Sequence, residues 1–150
     1  MAYRLRPAAR DDLAALGELK LRASLAWDDH VEELQAMPEA RVVPAEHLPF
    51  VFVVEDPDRI VGFGTVIPGS AGRADLEDLF VEPELWGLGI GRLLAQEAER
   101  RAGALGACAL DVTAGRARAF YEACGFEVVG AAQTQLEPVV LMTLRLGRSA

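Results

Sequence analysis

The chain has 150 residues, 51% of them hydrophobic and 25% charged, with a net charge of −8. That length suits one domain, residues 1–150, with a single core. The acidity argues against a nucleic-acid surface, which needs clustered Lys and Arg, and no apolar run reaches the roughly 20 residues of a membrane span. The first seven residues lack the apolar core of a signal peptide, so a cytoplasmic location is expected.

In chain order, Tyr3–Arg6 alternates like a short strand that Pro7 closes. A helix is expected from Asp11 to Ser24, with Leu13, Leu16 and Leu19 on one face and Asp11 or Asp12 as its cap. A second helix is read over Asp28–Met37, acidic through Asp28, Asp29, Glu32 and Glu33, followed by irregular chain to Pro49. Strands 50–55 and 60–66 flank the turn Asp56-Pro57-Asp58-Arg59, which makes a hairpin. Gly69–Gly72 turns into a strand over 75–81, a helix follows from Gly89 to Leu105, and a strand over 107–113 completes a parallel crossover unit. A last helix over 116–124 ends at Gly125, suited to a left-handed cap, and 126–137 and 139–146 read as closing strands. Cys108 and Cys124 lack metal-like spacing and read as small buried hydrophobes; no metal site is expected.

The most informative segment is Trp86-Gly87-Leu88-Gly89-Ile90-Gly91-Arg92, a glycine-dense loop between a strand and a helix start. A helix entry offers unpaired N–H groups and the positive end of the macrodipole, and glycines let an anion approach the main chain with no Cβ in the way. The loop therefore points to a phosphorylated ligand. It is not a Walker loop, since Arg92-Leu93 stands where Lys-Ser/Thr is required. Its place in mid-chain, after antiparallel strands, also weakens a dinucleotide fold.

Three segments carry a wider match: Leu76-Glu77-Asp78-Leu79-Phe80-Val81-Glu82-Pro83, the glycine loop, and Ala119-Phe120-Tyr121-Glu122-Ala123-Cys124-Gly125-Phe126. In this order they resemble the GNAT superfamily of acetyl-CoA-dependent N-acetyltransferases. The resemblance implies an α/β (α+β) single-domain fold: a mixed, mostly antiparallel sheet of about six or seven strands with a central parallel pair, flanked by about four helices. It implies transfer of the acetyl group of acetyl-CoA to a primary amine by direct attack, without a metal. Leu79, Phe80 and Val81 would lend main-chain groups to the pantetheine arm. The amides of Gly87, Leu88, Gly89, Ile90, Gly91 and Arg92 would hold the diphosphate. Trp86 stands where the family has Arg or Gln, and Ala114 where many relatives have Asn.

Acetyl transfer needs a neutral amine and a protonated leaving thiol, hence a base and an acid. Strand alternation sends Glu77 and Asp78 to opposite faces. Glu77 lies four residues before Val81, about 13 Å along an extended strand, which suits the acyl end of the arm. The segment resembles that of spermidine/spermine-type enzymes, whose matching glutamate is the base. Glu77 is the first expectation and Asp78 the second, with Asp75 and Asp111 weaker. By the same resemblance Tyr121 is the general acid. Trp27 with Asp28, Asp29, Glu32 and Glu33 would suit a cationic acceptor, and a homodimer stays open because relatives are frequently dimers. A non-catalytic acyl-CoA-binding sensor is the alternative that the sequence leaves standing.

Overall fold

The computed structural model describes residues 2–27, 30–134 and 136–147. Strands β1 (Arg4–Pro7), β2 (Val51–Glu55), β3 (Ile60–Pro68), β4 (Ala74–Val81), β5 (Ala109–Ala114), β6 (Glu127–Gln133) and β7 (Pro138–Arg145) form a seven-stranded sheet in the order β1-β2-β3-β4-β5-β7-β6. Among the described residues the α-helices are α1 (Leu13–Leu25), α2 (Val31–Ala36), α3 (Ile90–Ala104) and α4 (Arg118–Ala123). The sheet is mixed and mostly antiparallel. Its parallel pair is β4 with β5, where Ala74 faces Leu110 and Asp75 faces Asp111. This is the fold class expected from the sequence.

The chain resolves into two compact units. The first comprises Met1–Thr65 and Asp78–Leu94, the second Val66–Glu77 and Ala95–Ala150. In the first unit Leu16 and Leu19 of α1 pack on Val51, Val53 and Phe63, with Val43 closing the cluster. Nearly continuous burial of Val51–Val54 and Val61–Val66 explains why β2 and β3 read as apolar runs, not as alternating strands. Gly17 lies on the same helix because an added Cβ would meet the Arg41 carbonyl at 2.2 Å.

In the second unit the register of β5, β7 and β6 places Asp111, Thr143 and Glu127 side by side. Arg73 donates from Nε and Nη2 to both Asp111 oxygens at 2.7 Å, and the Thr143 hydroxyl donates to Asp111 Oδ1 at 2.5 Å. On α3, Glu97 accepts from Arg100 and Arg101. Gly106 and Gly125 end their helices at φ +79° and +97°, the second as expected.

Several boundaries differ from the sequence reading. The first helix begins at Leu13 behind a 3₁₀ turn over Arg10–Asp12. Asp12 does not cap it with its side chain: the carboxylate reaches back to the Ala9 N–H at 2.7 Å and pairs with Arg6. The second helix is short and starts after His30, which takes a left-handed conformation at φ 53°. The expected helical Asp28 and Asp29 lie outside the described residues. The segment read as irregular contains 3₁₀ turns at Pro38–Arg41 and Ala45–Phe50, each punctuated by proline. β6 stops at Gln133 because the Thr134 hydroxyl accepts the Glu137 N–H and donates to the Glu137 carbonyl, which closes a turn. Both cysteines are only half-buried.

Ion pairing with Arg73 holds the Asp111 carboxyl below the usual carboxylate range, against the opposing effect of burial, with the Thr143 bond adding to it. A depressed folded-state pKa contributes stability above the unfolded carboxylate pKa, and that contribution is lost as pH falls through the folded value. Asp111→Asn is therefore expected to destabilise the fold by about 1–2 kcal/mol at neutral pH. In denaturant titrations the gap to wild type should close in acid; a gap of constant size would contradict the ionic account.

Candidate active site

β4 leaves the sheet at Val81, and a 3₁₀ turn over Pro83–Leu85 leads to the glycine loop. Gly87 and Gly89 have φ of +85° and +93°, the left-handed region that side chains resist, and an added Cβ at either would point into open space. The helix α3 then starts at Ile90, and the Leu93 N–H bonds back to the Gly89 carbonyl at 3.1 Å. The N–H groups of Gly89, Ile90, Gly91 and Arg92 precede that first bond, so the helix supplies no acceptor for them. Four donors and the positive end of a 15-residue helix thus meet at a solvent-open loop. A diphosphate fits such a cradle: it needs close main-chain approach, and no Cβ obstructs it.

The helix start is seated by Ile90 and Leu94, both fully buried. A Cβ at Gly62 on β3 would lie 3.2 Å from Ile90 Cγ2 and 3.0 Å from Leu94 Cδ1, so that glycine lets α3 approach the strand. The sequence reading missed this positioning role. A lone glycine in a strand signals close approach without saying of what.

The loop's entry is held electrostatically. Glu82, 5% exposed, accepts from Arg22 Nε at 3.0 Å and Arg22 Nη2 at 2.9 Å, with Arg59 Nη1 at 3.8 Å. Trp86 donates its indole N–H to the Val81 carbonyl at 2.9 Å and packs on Trp27 with ring centroids 4.9 Å apart. At this position the side chain is used to fasten the end of β4 and the end of α1.

The two carboxylates of β4 face differently. Glu77 is exposed, whereas Asp78 is 4% exposed with Lys20 Nζ, from α1, 3.6 Å from its Oδ1. Lys20 was not among the sequence candidates, since one lysine in a helix of this pattern reads as a solvent-facing residue. Leu79 and Phe80 are half-buried, and Phe80 packs on Phe63 at 5.6 Å between ring centroids. Tyr121, on α4, is 6% exposed and makes edge contacts with Phe120 and Phe126 at 5.2 and 5.3 Å. Asp111 is tied to Arg73 and Thr143, and Ala114 is buried in β5. Among the described residues no group of three or more His, Cys, Asp or Glu side chains is placed to hold a metal, and no helix is long and apolar enough to cross a membrane.

The model of the acetyltransferase (GNAT) family matches residues 18–126, well over half of the sequence. The chain belongs to this family. Among solved structures, it is similar to a GCN5-related N-acetyltransferase (aminotransferase, class-II) from Rhodopseudomonas palustris, with 25% identity and a TM-score of 0.77 over 97% of each chain. PaiA N-acetyltransferase from Thermoplasma acidophilum, solved in complex with coenzyme A, shares 19% identity at a TM-score of 0.75, covering 97% of this chain and 99% of that one. YncA from Salmonella typhimurium, solved with acetyl-CoA, shares 19% identity at a TM-score of 0.73, covering 100% and 97%. No curated protein matches the sequence. The GNAT fold read from three motifs is the fold observed.

Removing Arg22, itself half exposed, leaves the buried Glu82 carboxylate without its bidentate partner. Arg22→Met is expected to cost about 1–2 kcal/mol in denaturant unfolding because Arg59 sits too far from Glu82 to replace the lost bidentate pair. The double variant Arg22→Met/Glu82→Leu should recover most of that loss. No recovery would show that the helix packing, not the stranded carboxylate, carries the cost.

Proposed function

We propose that this GNAT protein transfers the acetyl group of acetyl-CoA to a primary amine by direct attack of the amine nitrogen. The observation that carries the reading is the glycine loop: two left-handed glycines with open space before them, and four helix-start N–H groups without intrahelical acceptors. Gly87, Leu88, Gly89, Ile90, Gly91 and Arg92 hold the diphosphate through main-chain amides, and the helix dipole adds to the attraction.

Leu79, Phe80 and Val81 align the pantetheine arm along β4. The Val81 carbonyl already accepts the Trp86 indole N–H, so Val81 contributes through its amide and Trp86 acts by keeping this strand end in place. Asp78 is the favoured base of the β4 pair, because its carboxylate is buried toward α1 while Glu77 is exposed. Glu77 is the second candidate. A buried carboxylate also suits an acceptor that arrives as a cation. Tyr121 protonates the departing thiolate, a task that a phenol O–H donor suits. The C–N bond forms as the C–S bond breaks, and the nitrogen's protons leave through the carboxylate and the phenolate.

The test is free-thiol release from acetyl-CoA with polyamines, amino acids, aminoglycosides and peptide N-termini as acceptors. Tyr121→Phe should lower kcat by about 100-fold with little change in acetyl-CoA affinity. Asp78→Asn should lower kcat more than Glu77→Gln; the reverse order assigns the base to Glu77. Gly89→Asp should abolish acetyl-CoA binding in calorimetry, since it sets a charge of the wrong sign in the cradle; circular dichroism checks that the folded state tolerates a side chain at a φ of +93°. Tight binding with no turnover of any acceptor would support the sensor reading instead.

A further inference from the structure

Of the 15 basic residues in the chain, only Lys20 is a lysine. Among the described residues the other carboxylates held by hydrogen-bonded ion pairs meet guanidinium groups, in bidentate forks for Arg22 with Glu82 and Arg73 with Asp111. Asp78 instead meets an amine, and loosely: Lys20 Nζ is 3.6 Å from Oδ1, beyond hydrogen-bond range, and gives a 3.3 Å bond to the Val42 carbonyl. An arginine would make the stronger pair at a buried carboxylate. Strength of pairing therefore does not account for the one lysine.

A second polar group on the same face lacks a partner. Thr65, on β3, is fully buried and its Oγ1 makes no hydrogen bond. Phe63 packs on Phe80, and alternation by two residues carries the same face to Thr65 on β3 and to Asp78 on β4. That face is the one α1 covers, since Leu16 and Leu19 pack on Phe63 and Lys20 reaches Asp78. A buried hydroxyl with no partner is costly, and in a native protein it marks a place where something else bonds. Asp78 also lies three residues before Val81, about 10 Å along an extended strand, toward the acyl end of the arm proposed above.

We propose that Lys20 is an acceptor within the protein itself, acetylated on Nζ by acetyl-CoA bound to the same chain. The inference rests on the acetyltransferase reading. The ammonium gives one proton to Asp78, the freed amine forms the Nζ–C bond, and the C–S bond breaks with its electron pair on sulfur. Tyr121 protonates that sulfur and is restored by the second proton of the nitrogen. The product suits its surroundings: the acetamide N–H faces Asp78, and its carbonyl offers Thr65 the acceptor that its hydroxyl lacks. Acetylation also removes the cation from beside Asp78 and leaves the carboxylate open to a cationic acceptor from solution.

The experiment incubates the full chain with acetyl-CoA alone and follows intact mass and peptide maps. One acetyl increment should appear, located at Lys20, at a rate independent of protein concentration. It should be absent from Lys20→Arg, slowed about 100-fold in Tyr121→Phe, and slowed in Thr65→Val, with circular dichroism confirming that each variant is folded. Acetylation at equal rates in wild type, Gly89→Asp and the heat-unfolded chain would show ordinary chemical modification and overturn the proposal. An unmodified Lys20 in a protein that acetylates amines in solution overturns it while the proposed function stands; an unmodified Lys20 in a protein that binds no acetyl-CoA removes both.

Discussion

Unsatisfied main-chain donors at the first turn of α3 are the constraint on which the rest depends. A helix start leaves N–H groups that its own backbone cannot pair, and here they open into solvent behind two glycines in the left-handed region. Their placement is fixed from below and from one side. Ile90 and Leu94 seat the helix against Gly62, and the Glu82 carboxylate between Arg22 and Arg59 fixes the chain between β4 and the loop. A loop of this composition without such anchoring would lose the conformational entropy that glycine carries on ordering.

The strand β4 organises the chemistry as well as the sheet. Its first residues pair in parallel with β5, and its last carry Asp78 and the main-chain edge that ends under Trp86. The acidic pair at 77 and 78 is divided by strand geometry into one exposed and one buried carboxylate. Burial makes the choice of partner consequential: in water the Lys20–Asp78 contact would count for little, whereas a desolvated carboxylate must be compensated. The second unit is held by a different device, the Arg73–Asp111–Thr143 cluster across adjacent strands.

Much of this was legible in the sequence, for physical reasons. The glycine loop announced itself because main-chain anion binding needs glycine at fixed places, and the apolar runs at 50–55 and 60–66 around a turn reported the strands of a hairpin. The parallel crossover followed from the strand, helix and strand lengths. What stayed hidden depends on partners distant in sequence. Asp12 looked like a helix cap, yet its carboxylate turns back to Ala9 because Arg6 draws it there. Trp86 read only as a departure from the Arg or Gln of the family, and nothing local foretold that its N–H would fasten Val81. The Lys20–Asp78 contact spans 58 positions, and the Thr65 hydroxyl resembles any other strand threonine until its surroundings are known.

The central claim is that the amides of the α3 start clasp the diphosphate of acetyl-CoA. Backbone amide NMR during titration with acetyl-CoA reads those groups one by one. The account predicts that the largest shifts fall on Gly87 through Arg92 and saturate together with a single affinity. Saturable binding that leaves those six amides unmoved while others shift would contradict it.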